Sequence, residues 1–235
     1  MTVIVTSDPL VNQLKRDSLR IAETFDALCD ADVIEMSQSL AESLAIIFTG
    51  LKDQGRKNRD LQLWSCEILI NVSNSLSAAI YVLRAGYRLV PGVILRNAIE
   101  AMAVCLHGLQ KPQDLTRMKT DNFDSPKAIN TAKKVIPLFG ELYGFLSSQF
   151  AHTGPLLQSI QPLAPYDARD DDLLINLRAT RAEVWLLYVI AEFAFIDLVQ
   201  YPRYWRLESP GKAVYDPSEA ERQWQKRFLY GPEAA

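Results

Sequence analysis

Arg96, Glu100 and His107 stand in the stretch "RNAIEAMAVCLH", inside the otherwise apolar run "LVPGVILRNAIEAMAVCLHGL". At about 100° per residue, Glu100 and His107 lie only about 40° and 20° around a helix from Arg96, so the three share one narrow face. An arginine, a carboxylate and an imidazole on one face could bind and stabilise an anion while moving a proton near neutral pH. The same residues have a plainer reading. Arg96 and Glu100 at i, i+4 form a helical pair worth a few tenths of a kcal/mol when exposed. Buried, the pair sets helix register, because an unpaired charge in an apolar bundle costs several kcal/mol.

Two neighbouring helices carry polar rows of their own. Glu67, Asn71, Asn74 and Ala78 fall on one side of "LQLWSCEILINVSNSLSAAIYVLRA", with Ser73, Ser75 and Ser77 adding hydroxyls. Arg181, Trp185, Tyr188 and Glu192 fall along one side of the late apolar run. Three apolar helices, each with one polar row, suggest a shared polar seam or a pocket between helices, with Glu67 and Asn71 as binding candidates beside Arg96 and Glu100. The second histidine, His152, follows Tyr143, Ser147 and Ser148 in "ELYGFLSSQFAHTGP". A histidine before Thr-Gly-Pro also reads simply as a cap on the last carbonyls of a helix.

The elements that must position these residues are helices throughout. Glycine and proline, 10 and 12 in number, fall mostly at boundaries between long stretches, and no segment sustains apolar/polar alternation. Helices are expected from about Ser7 to Cys29, over "ADVIEMSQSLAESLAIIFTGLKD", from Leu61 to Ala85 with Gly86 as the stop, and over the Arg96 stretch with Pro91 near its start. Further helices are expected over 126–135, 138–151 and 171–200, the last capped by "DARDDD". An irregular segment over about 201–217 and a helix over 218–229 follow. The expectation is all-α: one multi-helix bundle over residues 1–235, with the Arg96 and Val189 helices central because they are apolar all round.

Composition narrows the function classes. Of the 235 residues, 49% are hydrophobic and 23% charged, and the net charge of −3 is not a nucleic-acid footprint. Cys29, Cys66 and Cys105 read as buried free thiols of a reducing compartment. "VWLLYVIAEFAFIDLVQY" approaches membrane-spanning length but carries Glu192 and Asp197, so it reads as a core helix and the protein as cytoplasmic. No phosphate-binding, dinucleotide, zinc-protease or nucleophile-elbow motif occurs, and neither a metal nor a cofactor is expected.

"LRAGYRLVPGVILRNAIEAMAVCLHGL" followed by "LYGFLSSQFAHTGP" resembles a widespread group of prokaryotic all-helical proteins of unassigned activity. Their pattern is Arg-x-x-x-Glu in an apolar helix, then Tyr-x-x-Leu-Ser with a downstream His. That group is distantly similar to the HEPN superfamily, many of whose members are metal-independent ribonucleases of defence systems. The resemblance covers about Leu83 to Pro155 and carries over Arg96, Glu100, Tyr143, Ser147 and His152. The resemblance implies the helical fold more than an activity; if the protein is an enzyme, chemistry assigns its catalytic set to Arg96, Glu100 and His152, with His152 moving a proton and Arg96 stabilising a phosphate. The HEPN spacing of Arg and His on one helix is missing before both His107 and His152. Two functions therefore stand open. One is a helical module that binds a partner protein, a second copy or a small ligand, with Tyr143, Ser147, Asn71 and Glu67 around the Arg96–Glu100 pair. The other is a metal-independent ribonuclease or RNA-binding protein, with Arg56, Lys57, Arg59, Lys119, Lys127, Lys133 and Lys134 available for phosphates.

Overall fold

A computed structural model describes residues 8–53, 59–120, 124–151, 158, 161–209 and 212–230. The fold is all-α, with helices packed against each other and one small hairpin. The chain begins with α1 (Pro9–Asn12), a π-helical turn (Gln13–Asp17) and the long α2 (Ser18–Lys52). α3 (Arg59–Arg84) and α4 (Val90–Gln110) follow as an extensively packed pair. α5 (Leu115–Met118), α6 (Ser125–Ala132) and α7 (Leu138–Leu146) are short, and α7 runs into a second π-helical turn, Ser147–Ala151. α8 (Asp171–Ala194) returns through the middle of the molecule, and β1 (Trp205–Ser209), β2 (Lys212–Tyr215) and α9 (Glu219–Tyr230) complete the fold.

α3 stops where glycine permits it. Gly86 sits at φ +93, and the amides of Gly86 and Tyr87 close back onto Leu83 and Val82 at 2.8 and 3.0 Å. α4 starts with Pro91 in its first turn, where a missing N–H leaves no bond unmade. α8 starts at Asp170, whose carboxylate accepts from the Leu173 amide at 2.9 Å. α8 then packs against α2, α3 and α4 and is buried almost all round from Ala179 to Ala194. Each large side chain that it or its neighbours bury fully, such as Phe25, Phe139 and Trp185, stabilises by roughly 1.5–3 kcal/mol. α3 and α4 are long and apolar enough to cross a membrane by composition. Here their apolar sides line the core against each other and α8.

The structure departs from the sequence expectation at three places. No break separates two helices near Cys29; α2 runs through it. Asp32 is a buried acid, 2.9 Å from Arg181 and 2.7 Å from Arg169, and no Gly or Pro interrupts the segment. α8 ends at Ala194, not Gln200, because the Glu192 carboxylate captures the amides of Arg203, Tyr204 and Trp205 at 2.9, 2.7 and 3.0 Å and turns the chain back. The segment expected to be irregular contains the β1–β2 hairpin, with Trp205 opposite Tyr215. All three cysteines are buried. Burial pushes the Cys29 thiol up to about 11 and Cys105 up to about 12.

Candidate functional site

Four of the residues singled out by the sequence meet at the junction of α4 and α7. Arg96 donates through Nε to Ser147 Oγ at 3.1 Å and through Nη2 to the Tyr143 hydroxyl at 3.2 Å. Nη2 also stands 3.1 Å from Glu100 Oε1. The guanidinium carbon lies 5.3 Å from the centre of the Tyr143 ring. Two elements therefore hold one guanidinium by three partners, which fixes its plane. The pair is half-buried rather than sealed in the core, with side-chain exposures of 32% for Arg96 and 21% for Glu100.

The local backbone is built for this approach. Tyr143 and Ser147 are one turn apart, and Ser147 opens the π-helical turn, whose wider winding commonly marks functional positions. Gly92, one turn before Arg96, lies against the Phe150 ring of that turn; a Cβ there would overlap the ring. The missing side chain lets α4 and the turn come close enough for Arg96 to reach Ser147.

The other polar rows point elsewhere, so the shared seam expected from the sequence does not form among the described residues. Glu67, Asn71 and Asn74 are exposed along the outer side of α3 and take no part in the bonds around Arg96. Arg181 faces α2 and α9. It pairs with Asp32 at 2.9 Å and Glu35 at 2.5 Å, and donates to the Phe228 carbonyl at 3.2 Å. Glu192 serves the chain reversal. His152 lies outside the described residues.

His107 shares the Arg96 face but sits three turns further along it, among different partners. Its Nδ1 is 3.2 Å from Thr131 Oγ1 and its Nε2 is 3.1 Å from Asp114 Oδ2. The Thr131 hydroxyl donates to the Lys127 carbonyl at 3.0 Å. Hydroxyl, imidazole and carboxylate thus stand in the order of a nucleophilic triad. The imidazole has no exposed surface, and the array ties α4 to α6 and to the segment carrying Asp114. The hydrogen bond from His107 holds the Asp114 carboxyl below the usual carboxylate range.

Glu183 on α8 was not singled out from the sequence. It is fully buried, and neither carboxylate oxygen has a hydrogen-bond partner among the described residues. Burial pushes its carboxyl well above the usual range. A lone acid in an apolar helix is visible in "RAEVWLLYV", but nothing nearby in sequence tells that it lacks a partner.

Among the described residues no three His, Cys, Asp or Glu side chains converge as a metal site. No family model, curated protein or solved structure matches the chain, so the site is read from its own geometry.

Proposed function

We propose that the chain is a helical interaction module, and that the Arg96–Glu100–Tyr143–Ser147 cluster is its polar recognition point. The observation that supports this is the fixed, charge-balanced guanidinium at a partly open helix junction. Glu100 balances Arg96, so the cluster offers donors and acceptors together and suits the mixed polar surface of a protein partner better than a bare anion. Arginine and tyrosine at a half-buried position are also the residue types that dominate interface energetics.

A second reading has one observation in its favour. Arg96 is bonded to Ser147, five residues before His152, so the motif that resembles HEPN-like ribonucleases brings its arginine to its serine. In that reading His152 moves the proton, Arg96 stabilises the phosphate, and RNA is the partner.

The test replaces Tyr143 with a photo-crosslinking phenylalanine analogue and illuminates the full chain, alone and in extract. In parallel, wild type, Arg96→Gln and His152→Ala are incubated with single-stranded RNA in EDTA. A discrete crosslinked adduct that disappears in folded Arg96→Gln, with RNA intact, supports the module. RNA cleavage by wild type that both folded variants lose would overturn it in favour of the ribonuclease.

A further inference from the structure

The row of α3 that does not reach Arg96 has a pattern of its own. Between Leu61 and Leu83 the exposed residues are Glu67, Asn71, Asn74, Ser77, Ala78 and Tyr81. All but Ser77 repeat at intervals of 4, 3, 4 and 3, the spacing of a coiled-coil seam. The opposite side of α3 carries the same spacing in Leu69, Val72, Leu76, Ala79 and Leu83, all buried in the core. α3 thus has two seams, one closed by its own bundle and one facing out.

The outer seam does not have the composition of a solvated face. The exposed side of α9 carries Glu219, Arg222, Lys226 and Arg227, whereas no residue from Ile68 to Leu83 is charged. Tyr81 is 70% exposed. α4 widens the face, because the exposed Val93 and Asn97 share one groove with Asn74, Ser75 and Ala78. Loss of charge around an exposed aromatic marks the centre of an interface.

Three features select a second copy as the occupant. The side-chain amides of Asn71, Asn74 and Asn97 make no hydrogen bond among the described residues, and an amide, with donors and an acceptor, complements an identical amide. A lipid surface would leave these amides without partners. The ends of the seam differ in charge: Glu67 stands at one, and Arg84, paired with Asp26 but 42% exposed, at the other. An antiparallel copy sets each against its opposite, whereas a parallel one sets Glu67 on Glu67. The face is also large enough. Glu67 to Arg84 spans about 25 Å and two helices side by side about 20 Å, so two copies cover roughly 1,000 Å², the area at which specific interfaces begin.

We infer that the α3–α4 face binds a second copy of this chain, the two α3 helices lying antiparallel with Asn74 of each beside Ala78 of the other. In that register Asn71 faces Tyr81 of the second copy, Glu67 comes level with its Arg84, and the two-fold axis passes at the level of Leu76. The contact uses the same patch on both copies, so it closes as a dimer. It shares α4 with the Arg96 cluster but none of the cluster's residues, so it stands or falls independently of the function proposed above.

Sedimentation equilibrium of the full chain tests this. A Kd on the order of 10 µM is expected from a partly polar interface of this size. Asn74→Lys and Ala78→Glu each place a charge at an exposed position and keep a good helix former there, so the circular dichroism should not change. Each should weaken the dimer at least tenfold. Mixed in equal amounts the two variants should dimerise again, because the antiparallel register sets the new cation of one against the new acid of the other. A wild type still monomeric at about 200 µM, well above the expected Kd, would overturn the inference. So would undiminished dimers of both variants, or a mixture that stays monomeric. A monomeric wild type that binds phosphatidylcholine vesicles would assign the face to a membrane and overturn it as well.

Discussion

Replacing Glu183 by methionine is expected to stabilise the protein, and to do so more strongly as pH rises. The Glu183 carboxyl is fully buried, makes no hydrogen bond among the described residues, and is held protonated by burial well above its ordinary 4.5. Its folded pKa is raised, so the unfolded chain gives up the proton first. Stability is therefore greatest below about pH 4.5 and is lost as pH rises toward the folded value. Between the unfolded value and the raised folded one the loss runs at up to about 1.36 kcal/mol per pH unit. Methionine has similar length, keeps the packing and removes the titrating group. A pH-independent gain of about 1–3 kcal/mol from removing an unpaired polar group adds to this. Urea denaturation followed by tryptophan fluorescence at pH 5.5, 6.5 and 7.5 measures both parts. The variant's advantage in midpoint should widen from pH 5.5 upward. A variant less stable than wild type at pH 7.5, or an advantage that does not change with pH, would refute the account of Glu183.

Other substitutions probe the elements around the site. Arg96→Ala removes the hydrogen bonds to Ser147 and Tyr143 and leaves Glu100 alone, at an expected cost of about 1–2 kcal/mol; a lower Tm by roughly 3–6 °C is the readout, and Arg96→Lys should not restore it because it lacks the planar fork. Gly92→Ala drives a methyl into the Phe150 ring and should destabilise by about 1–3 kcal/mol, with selective loss of amide-exchange protection in residues 143–150. Arg181→Ala leaves Asp32 with Arg169 alone and unties Glu35 and Phe228, with an expected cost of about 1.5–3 kcal/mol; limited proteolysis should then cut first in α9.

The local marks in the sequence located most helices because their causes are local. Gly86 ends α3, Pro91 starts α4 and Asp170 caps α8 through contacts within a few residues. The misread boundaries have distant causes. The segment from Ala31 reads as a new helix until Arg181, the partner of Asp32, is known, 149 residues later. The end of α8 depends on amides 11 to 13 residues beyond Glu192. The hairpin escaped because β1 buries only Trp205, so it shows no alternation to detect. Helical geometry put Arg96, Glu100 and His107 on one face, but could not say that α7 and its π-helical turn take Arg96 while α6 takes His107. The polar rows were legible as rows, and their directions were not.

The Arg181 contacts also carry a consequence for synthesis on the ribosome. α2 emerges early with Asp32 and Glu35 on a side that α8 must cover, and their guanidinium partner is made almost 150 residues afterwards. Arg181 in turn is completed by the carbonyl of Phe228, nearly the last described residue. Until α8 is made, the α2 side that carries Asp32 and Glu35 has neither of its guanidinium partners, Arg169 and Arg181. The early helices therefore acquire their charge balance only from the late part of the chain, and α9 adds the last hydrogen bond to Arg181 through the Phe228 carbonyl.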